Sequence, residues 1–200
     1  MNMHHRQNNK PWLSIIVPVR NEALCVSLMS HVWAGLNQLN GVEVIVVDGQ
    51  STDGSYERLI QHDVQVLQAQ PGRSHQMNKG AEVAQGQMLW FMHCDTWPED
   101  FDYQGAIQAI RRHVMDVGQV SPVAWGRFDI ALGDPGLVFK MISFCMNFRS
   151  RLTGISTGDQ GLFMAKSLWQ KVKGFPPGTY GRCCLMSKLE SLWAASVFKI

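Results

Sequence analysis

Residues 42–55 read VEVIVVDGQSTDGS. A run of valine and isoleucine with no helical period, ending abruptly on an acidic residue and Gly49, is the pattern of a parallel strand buried on both faces. Working outward, residues 13–17 (LSIIV) form a second such run, closed by Pro18. Between the two, Glu22 to Leu39 carries Leu24, Leu28, Val32, Leu36 and Leu39 near a 3.6-residue period, and Gly41 stops the helix. That is a strand–helix–strand unit. Ser51, Thr52 and Asp53 are placed to cap a second helix through about Gln61, and Val64 to Leu67 make a third strand. A third helix spans roughly Ser74 to Ala84, and Gln87 to Met92 is a fourth strand. A helix over Asp100 to Met115, a strand near Val123 to Leu132, a helix through Arg149 and the glycine-rich stretch Thr153 to Gly161 complete the pass.

Parallel strands require crossover helices, so this alternation predicts an α/β, doubly wound sheet with ligands bound at the strand C-terminal ends. With 200 residues, 46% hydrophobic and 17% charged, the chain suits one globular domain. A net charge of +2 lacks the field a nucleic-acid binder needs, so nucleic acid is excluded as a partner. Five cysteines are an odd count without CxxC spacing, which suggests neither a disulfide framework nor a zinc knuckle. The expected compartment is the reducing cytoplasm. The polar start MNMHHRQNNK has no secretory h-region. The longest apolar stretch, Leu137 to Phe148, is broken by Lys140 and falls short of the ~20 residues of a spanning helix. It reads as a buried or interfacial helix, which leaves room for peripheral membrane contact.

Three strand ends carry polar clusters: Pro18 to Glu22, Asp48 to Asp53, and His93 to Asp95. Asp48 is placed to hydrogen-bond a base or ribose, although Asp53 and its neighbours have an equal reading as helix caps. In GRSHQMNKGA, Arg73 precedes a helix and Asn78 follows a turn later, a candidate diphosphate site, with a solvated arginine as the bland alternative. In FMHCDT, His93 and Asp95 sit two apart and suit one hard cation completed by phosphate oxygens, with Asp95 the better ligand and His93 open to a core role.

Together IIVPVRNEA, VIVVDGQSTDGS, GRSHQMNKGA, LWFMHCDT, WGRFDIAL and STGDQGLFMAKSLWQKVKGFP resemble the inverting family 2 glycosyltransferases of the GT-A fold. The resemblance covers about residues 12–176, and is greatest to a small bacterial subgroup whose metal motif reads His-Ala-Asp-Thr, here His93-Cys94-Asp95-Thr96. It implies a Rossmann-like, mostly parallel sheet flanked by helices. It further implies that Pro18, Glu22 and Asp48 line a nucleobase pocket, that Asp53 and Arg73 lie near ribose and diphosphate, and that Asp95 holds Mg²⁺ or Mn²⁺. The implied donor is a nucleotide sugar, UDP-linked by expectation, and the implied acceptor, of unknown identity, is deprotonated by a carboxylate base. Gly158, Asp159 and Gln160 match an acceptor-side loop, which a Gly-Asp turn explains equally well. Trp125, Phe128 and Trp169 are expected in the core.

The pattern departs after Phe175-Pro176. The subgroup continues with a stretch like LMEDVxLSxRL, whose Glu-Asp pair is the expected base, whereas this chain reads PPGTYGRCCLMSKLESLWAASVFKI. Residues 177–200 are therefore expected to be an atypical tail that leaves the fold incomplete at the C-terminus. Thr179 to Met186 can be encoded as ACT TAT GGA AGA TGT TGC CTT ATG, and starting one nucleotide later the same bases spell LMEDVAL, so the tail is expected to be out of frame, with a genuinely diverged C-terminus as the alternative. A binding remnant without a catalytic base is the alternative to an active transferase. A nucleotidyltransferase is disfavoured because no glycine-rich loop follows the first strand.

Overall fold

The computed structural model describes residues 10–95, 100–116, 118–131, 136–153 and 160–176. The chain runs β1 (Leu13–Val19), α1 (Ala23–Asn37), β2 (Val42–Asp48), α2 (Ser55–Leu59), β3 (Gln65–Gln68), α3 (Arg73–Val83), β4 (Met88–Phe91) and α4 (Tyr103–Val114). It continues with β5 (Met115–Asp116), β6 (Gln119–Val120), β7 (Trp125–Gly126), α5 (Leu137–Thr153), β8 (Phe163–Ala165) and α6 (Lys166–Lys171). Among the described residues, six strands form one sheet in the order β3-β2-β1-β4-β8-β7, and β5 and β6 pair separately.

The expected strand–helix alternation holds through β4, where β1, β2, β3 and β4 pair in parallel. Beyond it the sheet turns mixed: β8 runs antiparallel to both β4 and β7. Of the strand expected over Val123 to Leu132, Trp125 and Gly126 are the described residues that pair in the sheet; Phe128 N–H donates to the Gln160 carbonyl at 2.8 Å. Trp125 and Phe128 are buried in the core and Trp169 packs against it, as expected.

Pro18 does not close β1 but lies inside it, opposite Val47. The hydrogen bonds explain why. Even-numbered residues of β1 face β4, as the bond from Met92 N–H to the Ile16 carbonyl shows, and the β1–β4 ladder ends at Ile16–Phe91. The N–H that proline lacks would have pointed where no strand remains to receive it.

The buried face of α1 also differs from the expected one. Val26, Met29, Ser30, Trp33 and Leu36 face the sheet, whereas Leu24 and Leu28 are 77% and 52% exposed. The helix is apolar on more than one side, and burying the Trp33 ring selects the face. At the opposite end of the strands, a Cβ on Gly86 would come within 2.7 Å of the Ser14 backbone nitrogen, so the chain can cross β1 there only as glycine.

Of the two readings of α5, buried or interfacial, the structure removes the buried one. Leu137, Met141, Phe144, Phe148 and Leu152 form an exposed row, while the inward contacts are polar. The Asn147 amide donates to the Ile130 carbonyl and accepts from its N–H, both at 2.9 Å, and the buried Arg127 donates to Asp129 at 3.0 Å. Asp129 also pairs with Arg151, tying α5 to the segment after β7. No helix among the described residues is long and apolar enough to cross a membrane. The tail from residue 177, and with it the proposed change of frame, lies outside the described residues.

Candidate functional site at the strand C-terminal ends

The parallel half of the sheet brings the ends of β1, β2 and β4 to one edge, and Gln76 of α3 locks two of them. Its buried Nε2 donates to the Val19 carbonyl at 2.7 Å and the Val47 carbonyl at 2.8 Å. Beside it, Gly49 N–H donates to Val19 at 2.8 Å, and a Cβ on Gly49 would collide with the Gln76 side chain at 2.9 Å. Asn21 and Gln50, which follow these strand ends, both adopt left-handed backbone conformations, φ 54° and 61°. Non-glycine residues hold such angles only where surrounding contacts impose them.

Those contacts are visible. Asn21 N–H donates to the Ser51 hydroxyl (2.9 Å), Thr52 N–H to the Asn21 side-chain oxygen (2.8 Å) and Glu22 N–H to the Ser55 hydroxyl (2.9 Å). Ala23 N–H donates to Asp53 Oδ2 at 2.9 Å. The expected cap of α2 is shared: Asp53 Oδ1 accepts from Ser55 N–H, the first of α2, at 3.0 Å, while its Oδ2 and the Ser55 hydroxyl satisfy orphan N–H groups at the start of α1, thirty or more residues away. The Ser55 hydroxyl bond to Asp53 holds that carboxyl below its ordinary range.

Asp48 is fully buried at the end of β2, its carboxylate accepting from Ser51 N–H at 3.2–3.3 Å. Pro18 lies beside it in the neighbouring strand, opposite Val47. Arg73 opens α3, exposed, after Gly72. His93 is buried just past β4 and Asp95 is exposed two residues on.

Glu22 collects the electrostatics of the edge. Its carboxyl is pushed up from the ordinary 4.5 to about 7, first by burial and then by the negative charge of Asp95, with Asp53 adding to the rise and Arg73 opposing it. Its Oε2 is enclosed with no hydrogen-bond partner among the described residues. Because the value is raised on folding, the neutral form favours the fold: that contribution is complete below about pH 4.5 and is lost as pH rises through about 7. Glu22→Gln, neutral throughout, is therefore expected to melt near the wild type at pH 5 and several degrees above it at pH 8 in the ligand-free chain. Melting curves at the two pH values check this, and an equal gap at both would contradict the burial of a charge.

Two expectations are corrected. Asn78 does not face a diphosphate: its Nδ2 donates to the Phe175 carbonyl at 2.8 Å and its Oδ1 accepts from Phe175 N–H at 2.9 Å, so the amide is committed to holding the turn after α6. Cysteine pairing also differs. Cys25 and Cys94 are joined by a disulfide across a sequence separation of 69, a pairing that no local spacing announces. Together with Glu22 they place three metal-type donor atoms within 4.8 Å of one another, a group that does not include His93 or Asp95. Gln160 is buried, accepting from the Ser150 hydroxyl at 3.3 Å, while Gly158, Asp159 and Thr96 lie outside the described residues. The signal for Gln76 was present in the sequence only as its position on the inward face of α3.

A mostly parallel sheet flanked by helices, with polar segments gathered at the C-terminal ends of its parallel strands, is an α/β domain of the GT-A kind. The chain belongs to the family described as glycosyl transferase family 2, which matches residues 14–170. No curated protein matches it. Among solved structures it is similar to the mannosyltransferase PcManGT from Pyrobaculum calidifontis in complex with GDP-Man and Mn²⁺, at 18% identity and TM-score 0.62 over 88% of this chain and 50% of that one. It is similar also to S. aureus TarS 1-349 (18%, TM-score 0.65, 94% and 57%). A third is glucosyl-3-phosphoglycerate synthase from Mycobacterium tuberculosis with Mn²⁺, UDP and glucosyl-3-phosphoglycerate (15%, 0.67, 97% and 70%). The chain thus spans half to 70% of the length of these proteins.

Proposed function

We propose that this domain binds a nucleoside-diphosphate sugar, UDP-linked, across the C-terminal ends of β1, β2 and β4, and transfers the sugar with inversion to an acceptor hydroxyl. What carries the reading is that Asp95 in the turn after β4, Asp53 in the turn before α2 and Arg73 at the start of α3 all act on the half-buried Glu22 carboxyl. In this reading Pro18, Glu22 and Asp48 line the base pocket, and Asp53 and Arg73 serve the ribose and diphosphate.

The donor set suits a hard divalent cation. An exposed aspartate beside a carboxyl whose ionisation it opposes is an acidic field that a cation relieves. Asp95, with His93 beside it, would hold Mg²⁺ or Mn²⁺, which when bound supplies charge neutralisation for the departing diphosphate. The Arg73 guanidinium adds fixed positive charge near the same phosphates. The buried Asp48 carboxylate accepts a hydrogen bond from an imide N–H of the base, as it already does from Ser51 N–H. Asp48→Ala is accordingly expected to weaken UDP binding by roughly 1–3 kcal/mol. Loss of the acceptor for Ser51 N–H also costs stability, so Asp48→Asn, which keeps an acceptor, separates the two effects.

The test is thermal stabilisation of the chain by UDP and by GDP with Mn²⁺, Mg²⁺ or chelator. At a hundredfold excess over Kd, binding adds about 2.7 kcal/mol to apparent stability. UDP with either cation is expected to stabilise more than UDP with chelator, and more than GDP; equal shifts in all conditions would remove the reading. Incubation with UDP-sugars then separates transfer from binding alone, since release of UDP requires turnover.

A further inference from the structure

Cys25 lies in the first turn of α1, three residues after Glu22, and Cys94 sits between His93 and Asp95. Their Cα atoms are 6.4 Å apart, within the span a disulfide bridges, and the structure joins them. Cys25 is half-buried and Cys94 only 2% exposed, so Cys25 is the more accessible residue of the two. The link fastens the turn that presents Asp95 to the start of the helix that presents Glu22, a start already held by Asp53 and Ser55. The two carboxylates coupled electrostatically are therefore also coupled covalently, through neighbouring residues.

We propose that Cys25 and Cys94 are a reversible thiol–disulfide pair, a modification site whose co-reactant is a small-molecule disulfide, and that its oxidised form preorganises the donor site. The Cys25 thiolate attacks one sulfur of the small disulfide, forming a mixed disulfide and releasing one small thiol. The Cys94 thiolate then attacks the Cys25 sulfur, closing the internal bond and releasing the second thiol. Two protein thiols are oxidised and one small disulfide is reduced to two thiols. The internal bond limits the positions open to Asp95 relative to Glu22, so less ordering remains when cation and nucleotide bind. This second half rests on the donor-binding reading above.

The experiment uses the full chain with Cys145, Cys183 and Cys184 replaced by serine, equilibrated against mixtures of reduced and oxidised glutathione and then trapped with a heavy maleimide. Cys25 and Cys94 are expected to lose reactivity together, and reduction to restore both in the folded chain. Cys25→Ser or Cys94→Ala is expected to leave one thiol that stops as a glutathione adduct or stays free. UDP with Mn²⁺ is expected to bind the oxidised form roughly fivefold or more tightly than the reduced form. Two thiols that remain reactive at every ratio, or a bond that glutathione cannot open without unfolding the chain, overturns the reversible pair. Protection of both thiols by added Zn²⁺, marking a thiolate cation site with Glu22, overturns it as well. Equal UDP affinity in the two states overturns the preorganisation. Absence of UDP binding in both states instead overturns the donor reading, while the maleimide result judges the pair independently.

Discussion

Asp95→Ala is expected to abolish the difference between Mn²⁺ and chelator in stabilisation by UDP, while the ligand-free chain melts at an unchanged or slightly higher temperature. The side chain is exposed, so no core contact is lost with it. Its charge raises the cost of ionising Glu22, and removing it lowers that cost at neutral and alkaline pH. The whole cation-dependent part of a ligand stabilisation of about 2.7 kcal/mol is at stake. Thermal melts of the wild type and variant, with and without UDP and cation, measure it. A variant that keeps the Mn²⁺-dependent shift would move the cation site away from β4, and one that unfolds would make Asp95 structural.

Trp90→Ala carries the largest expected cost to the fold. The residue is fully buried in β4, in register with Ile15 of β1 on one side and Phe163 of β8 on the other, and its ring lies 5.4 Å from that of Phe128. It stands where the parallel half of the sheet meets the antiparallel half. Truncation leaves a cavity bordered by both, for a loss of roughly 3–5 kcal/mol. At about 2–4 °C per kcal/mol for a domain of this size, the melting temperature should fall by on the order of 10 °C. Urea unfolding followed by tryptophan fluorescence and by circular dichroism gives the value. A loss below about 1 kcal/mol would mean that the two halves are not packed through this ring.

Composition and local pattern alone determined the parallel half of the molecule. Continuous valine and isoleucine runs such as residues 13–17 and 42–48 have no face to expose, so they are buried strands wherever the chain folds, and the polar clusters after them fall at the ligand edge. The sequence also placed Asp48, Glu22 and Asp95 at strand ends, because a strand's end is marked locally by the loss of apolar residues.

Tertiary structure decided what depends on partners distant in sequence. Pro18 sits within a strand because the neighbouring ladder has already ended, and α1 turns Trp33 inward because the sheet offers room for that ring. Asp53 caps a helix thirty residues away as well as the start of its own, and the Asn78 amide pairs with Phe175. Cys25 and Cys94 meet only because α1 begins at the edge where β4 ends. Short polar side chains and cysteines are locally ambiguous: each has several partners of nearly equal worth in the sequence, and the packing of the core selects which one comes within reach.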